Sequence, residues 1–98
     1  MSFSLVVRDA AVEDASGIYR WYEEQRTGLG LQFLLALDEL YALIGANPYG
    51  FQVRKDNFRH AFVHGFPKYR VSYDVEGERI TVYQVRHTSR RSDRRFGP

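Results

Sequence analysis

Two periodicities divide the chain. Between Asp9 and Gly45 apolar residues recur at helical spacing, and from Gly50 onward they recur at every second position. Ala11, Ala15, Ile18 and Tyr22 stand at i, i+4, i+7 and i+11, while Glu13, Arg20, Glu23 and Glu24 fall on other faces. That spacing predicts a helix running from an Asp9 N-cap to about Arg26, with one side made for packing. Thr27-Gly28-Leu29-Gly30 breaks the pattern, and Phe33, Leu37, Leu40 and Ile44 resume it until Gly45 and Asn47-Pro48 end it. Two helices joined by so short a break form an antiparallel hairpin. Ahead of them, the apolar, β-branched run from Phe3 to Val7 predicts a strand.

In the second half Phe51 and Val53 open the two-residue period, and residues 58–63 continue it. Tyr69, Val71, Tyr73 and Val75 then alternate with Lys68, Arg70, Ser72 and Asp74. These are half-buried strands. Glu76-Gly77-Glu78 predicts a turn, and residues 79–87 form a last strand, apolar on both faces around Ile80, Val82, Tyr83 and Val85. A strand wet on neither side is usually central. The predicted order is βααββββ or βααβββ, depending on whether residues 51–54 pair separately from 58–63. The fold class is α+β: an N-terminal strand and a helical hairpin packed on a mostly antiparallel sheet of four to five strands. The whole chain, 1–98, reads as a single domain, with 88–98 as a basic C-terminal tail.

Composition adds three points. Fourteen Phe and Tyr residues plus Trp21 supply the volume of a folded core, so disorder is not expected. The absence of cysteine excludes a disulfide framework, a thiol nucleophile and thiolate metal sites, and it agrees with a reducing, cytoplasmic setting. The N-terminus has no basic start, and no apolar run is expected to approach bilayer length, so neither secretion nor a membrane partner is expected.

Charge changes the picture more. The net charge of +2 divides unevenly: residues 1–45 hold three Arg and seven acids, and residues 46–98 hold eleven Lys or Arg and five acids. Twelve of the fourteen basic residues are arginine, whose planar fork suits phosphate and carboxylate. The C-terminal half is therefore expected to meet an anion.

Several local patterns together resemble the RelE/ParE toxins. They are the Phe3–Val7 strand, the hairpin with Gly28-Leu29-Gly30 and Phe33, Asn47-Pro48 before the sheet, and Gly65-Phe66-Pro67-Lys68-Tyr69-Arg70-Val71-Ser72-Tyr73. Val85-Arg86-His87 and Arg90 complete the set. The resemblance spans about residues 3–91, and its most specific parts are Phe66-Pro67-Lys68-Tyr69 and the late Val85-x-His87-x-x-Arg90 pattern. It implies the toxin of a type II toxin–antitoxin system, neutralised by a cognate antitoxin that wraps it. The target it implies is either DNA gyrase, poisoned by binding, or the ribosome and its mRNA, which RelE-like members cut.

In the nuclease reading, the resemblance places Arg70 and Arg90 at positions of RelE-like catalytic arginines. Phe96, however, falls where RelE has its tyrosine, and Ala61, Phe62 and Val63 are apolar near the point where RelE carries lysines. That incomplete set favours the ParE-like branch, a gyrase poison without enzymatic chemistry. A binding module or decayed toxin is the remaining alternative.

The residues themselves support these roles alongside plainer ones. Arg70, on the polar face of its strand, suits a scissile phosphate or an acidic partner, and equally suits a solvated position. His87 suits a general base on a 2′-hydroxyl, with Arg90 on the phosphate, or a structural histidine bonded to backbone. Arg86, Arg91, Arg94 and Arg95 suit target or nucleic-acid binding. About four phosphate contacts to single-stranded RNA would give a log K against log salt slope of about −3, and a solvated tail is the competing reading. His60 and His64 flank Phe62 without a third ligand, so no metal and no cofactor is expected. Tyr19, Trp21 and Tyr22 belong to a helix stripe that needs packing partners, and Glu13, Asp14, Glu23 and Glu24 read as a solvated helix face.

Overall fold

The computed structural model describes residues 3–55 and 57–88. Its elements follow in the order β1 (Ser4–Val7), α1 (Asp9–Gln25), α2 (Leu29–Ala46), a 3-10 turn (Pro48–Gly50), β2 (Val53–Lys55), β3 (Phe58–Val63), β4 (Phe66–Glu76) and β5 (Arg79–His87). The five strands form one sheet ordered β1-β5-β4-β3-β2. β1 runs parallel to β5, and every other pairing is antiparallel. The fold is thus the expected α+β arrangement, and residues 53–55 pair as a strand of their own.

The helical hairpin covers one face of this sheet. On α2, Phe33, Leu37, Leu40 and Ile44 are all buried, and on α1 Ala11 and Ile18 are fully buried, facing Val71, Tyr73, Val82 and Val85 of the sheet. Rings join the layers: Tyr22 packs on Phe33, Phe66 and Tyr69 with centroids 5.1–6.1 Å apart, separations at which edge-to-face contacts add to area burial. By length and composition α2 could cross a bilayer, contrary to the expectation that no run reaches that length. Here its apolar stripe lies on the sheet, and Asp38 and Glu39 stand in its middle.

Two local features depart from the sequence expectation. The N-cap of α1 is Arg8, in extended conformation with no side-chain cap, and Asp9 is the first helical residue, where its charge favours the helix N-terminus. α2 begins at Leu29, so Gly30 lies inside it. A Cβ on Gly30 would stand 2.5 Å from the Tyr19 carbonyl oxygen, so glycine here permits close approach of the helices. Its predecessor Gly28 has φ +93°, a left-handed turn conformation. The donors exposed at this helix start are taken by Glu23 of α1, whose carboxylate accepts from Gly28 N at 3.0 Å and Gly30 N at 2.9 Å.

The two-faced apolar character of β5 also has a local cause. Ser72 pairs Gln84 and Tyr73 pairs Val82, so Tyr83 is an extra residue in a bulge. The bulge keeps Ile80, Val82 and Val85 on the buried side while Tyr83 emerges on the opposite face, where its ring meets Phe58 at 5.2 Å and its hydroxyl donates to Asp74 at 3.3 Å. β5 is interior to the sheet, between β1 and β4, as a strand apolar on both faces suggests.

Candidate functional site

The face of the sheet away from the helices carries Arg54, Arg70 and Arg86. Register places Phe62 of β3 opposite Arg70 of β4, and Arg70 opposite Arg86 of β5, so the three stand abreast on one face. One rung along, His60, Ser72 and Gln84 align in the same way. At the β2 side of this face a cleft of about 360 Å3 is lined by Gln52, Arg54, His60, Phe62, Arg70 and Thr88.

The electrostatics of this cleft are set by like charges. Burial, then the charges of Arg54 and Arg86, lower the proton affinity of Arg70 below that of a free guanidinium, although a group starting from 12.5 stays charged near neutral pH. Arg70 Nε is buried without a hydrogen-bond partner. Burial, then Arg70 and Arg54, likewise push the His60 imidazole below its ordinary 6.5, so it is neutral at pH 7. Arg86 Nε lies 3.7 Å from Oδ2 of Asp14 on α1.

His87 lies on the other face. It pairs Tyr69 in register, and its ring meets the Tyr69 ring edge-on at 5.2 Å, on the helix-covered side. Successive residues of a strand point to opposite faces, so Arg86 and His87 are separated by the pleat. Arg70 and His87 therefore stand at the same end of the sheet but on opposite faces of it. Arg90, Arg91, Arg94, Arg95 and Phe96 lie outside the described residues.

Over residues 5–92 the chain matches the model of the ParE toxin of the type II toxin-antitoxin system, parDE. The chain belongs to this family. Among solved structures, one described as "Chromosomal ParDE TA system from P. aeruginosa" is similar, with a TM-score of 0.79 at 16% identity over 89% of this chain and 97% of that one. At that identity the likeness is one of fold. No curated protein matches the chain.

For a ParE-family toxin, two surfaces stand out. The first is the cationic cleft, in which Arg54, His60, Phe62, Gln52 and Thr88 join Arg70. In the sequence His60 stands out only as half of a metal pair, and Arg54 has no motif to mark it. The period-two alternation of 58, 60 and 62 does place His60 and Phe62 together, but their junction with Arg54 needs the β2–β3 pairing. Among the described residues no group of three His, Asp or Glu is arranged to hold a metal.

The second is an apolar groove of about 380 Å3 between α1 and α2, reaching Val7 of β1. Val12, Ala15, Tyr19, Leu34, Leu37 and Tyr41 line it, with Asp38 at its edge. Val12 is 51% exposed there. Burial drives the Tyr41 hydroxyl far above the usual phenol range, so it stays protonated and able to donate.

Proposed function

We propose that this ParE-family toxin acts in the cytoplasm by binding DNA gyrase through the open, arginine-bearing face of its sheet, without bond-making chemistry of its own. The observation that supports this reading is the buried, unpartnered Nε of Arg70, set among Arg54, His60 and Phe62 with no carboxylate within ion-pair distance of Arg70 or Arg54 among the described residues. A charged donor left in that state is suited to an acidic group on a partner. The separation of His87 from Arg70 by the pleat weighs against a ribosome-dependent nuclease built on those two residues.

The cognate antitoxin is proposed to seat the apolar side of a helix in the groove between α1 and α2, where Val12, Ala15 and Leu34 offer anchors. Gyrase and antitoxin then occupy different faces.

The test is a supercoiling assay with purified toxin, gyrase and relaxed plasmid. Loss of supercoiling at a dose comparable with the enzyme supports the reading. Full supercoiling at saturating toxin refutes it, and cleavage of mRNA on translating ribosomes would place the protein with the nucleases instead.

A further inference from the structure

The cationic cleft has features that an acidic protein partner leaves unused. Arg54 and Arg70 face a common space of about 360 Å3, at the small end of the range for small-molecule sites. Their mutual repulsion, with Arg86 behind, is relieved when an anion enters. Phe62 stands on the same rung as Arg70 and is 55% exposed, a phenyl ring held in water at the cleft's wall. Gln52 and Thr88 add an amide and a hydroxyl at the rim. A carboxylate would engage the guanidinium groups and leave the ring uncovered. A guanidinium pair beside an open aromatic face is the combination that holds a phosphate and stacks a base.

We propose that this cleft binds one nucleotide unit, its phosphate held by Arg54 and Arg70 and its base laid against Phe62. A free nucleotide and a single strand of nucleic acid present the same unit, so they share this chemistry and differ in what lies beyond it. His60 shares the cleft with Arg70 and Arg54, and an anion placed between them offsets the part of its lowered proton affinity that the two cations cause. The bound state is therefore readable at the imidazole.

The experiment follows the His60 imidazole resonances of the whole protein by NMR while four probes are added. They are adenosine 5′-monophosphate, a short single-stranded oligonucleotide, inorganic phosphate and a glutamate-rich peptide. The expected result is that the monophosphate and the strand shift the His60 resonances and raise its titration midpoint. Arg70→Gln and Arg54→Gln are each expected to weaken binding about tenfold, as loss of a charged phosphate contact does. Arg54 is solvent-exposed, so its variant reports even where the Arg70 variant folds poorly. Phe62→Ala should weaken the nucleotide about five- to tenfold and leave inorganic phosphate unchanged, the signature of stacking.

A strand that binds at least tenfold tighter than the monophosphate at equal salt identifies nucleic acid as the source, and equal affinities identify a free nucleotide. Either supports the proposal. It is overturned if neither nucleotide probe moves His60 at millimolar concentration, if Phe62→Ala binds the nucleotide as well as the parent, or if only the peptide binds. Because the readout uses the toxin alone, failure here leaves the gyrase reading standing, and failure of gyrase inhibition leaves this result intact.

Discussion

The carboxylate of Asp14, on α1, accepts the backbone N–H of Val85, on β5, at 3.0 Å across 71 positions of sequence. β1 pairs with β5 only as far as Val82, so beyond that point the edge of β5 has no strand beside it. Asp14 supplies the acceptor that a longer β1 would have provided, and a backbone donor so placed is costly to leave unpaired. The same oxygen lies 3.7 Å from Arg86 Nε, which ties the helix to the strand that carries the arginine face.

Removing this acceptor should be felt as lost stability. Asp14→Ala is expected to cost about 1–2 kcal/mol, read as a lower denaturant midpoint with unchanged slope. Burial outweighs the Val85 hydrogen bond and Arg86, so the Asp14 carboxyl holds its proton above the ordinary 3.8. A raised folded value means that this group's contribution is fully present below 3.8 and is lost as the pH climbs through the folded value. Asp14→Asn keeps an amide oxygen for Val85 and cannot ionise, so its stability should be flatter with pH just above 3.8 than that of the parent.

The hairpin depends on a contact equally local to two residues. Glu23 takes the N–H groups of Gly28 and Gly30, and Gly30 lets the helices close onto the Tyr19 carbonyl. Glu23→Ala is expected to cost about 1 kcal/mol, as loss of a helix-start cap does. Gly30→Ala should cost about 1–3 kcal/mol by overpacking, because the Tyr19 backbone carbonyl stands in the way together with the Tyr19 and Glu23 side chains. Thermal melts of both variants check this, and an unchanged Gly30→Ala melt would contradict the close approach.

Much of this architecture is legible in the sequence because its signals are periodic. Phe33, Leu37, Leu40 and Ile44 are spaced as one helix face and are buried as one face, and the alternation of Tyr69, Val71 and Tyr73 marks the covered side of β4. Gly28 and Gly30 mark a break, but their separate duties, a left-handed turn and a close approach, appear only when α1 lies against α2. The site was less legible. Arg70 stands out on its strand, yet Arg54 and His60 join it through the pairing of β2 with β3 and β3 with β4, a long-range relation with no local signature. Arg86 and His87 are adjacent in sequence, and the pleat sends them to opposite faces.

Tyr73 gives an alkaline signature. Its hydroxyl donates to the Pro48 carbonyl oxygen at 2.6 Å in a buried setting, and burial pushes its ionisation from 10.0 up to about 12. Folded Tyr73 keeps its proton where the unfolded chain loses it, so its contribution is complete below pH 10 and disappears as pH rises through about 12. Tyr73→Phe is expected to cost about 1 kcal/mol at neutral pH and to lose part of the parent's steep stability decline in that window. Denaturant titrations at pH 7, 10 and 11.5 distinguish the two.

The proposed antitoxin seat separates neutralisation from toxicity. Val12 lines the groove and is half exposed, so Val12→Glu should fold and should place a charge where an apolar anchor would sit. Cells expressing this variant with the cognate antitoxin are expected to stop growing, whereas those with the parent toxin and antitoxin keep growing. Full rescue of the Val12→Glu strain would move the antitoxin to another surface.

The most direct measurement is a gyrase supercoiling titration run in parallel with the parent toxin and Arg70→Gln. The expected result is inhibition by the parent at doses near the enzyme concentration and a midpoint raised at least about tenfold for the variant, as loss of a charged contact at an interface produces. Equal midpoints for the two proteins, or no inhibition by either, would contradict the assignment of the working surface to the arginine face.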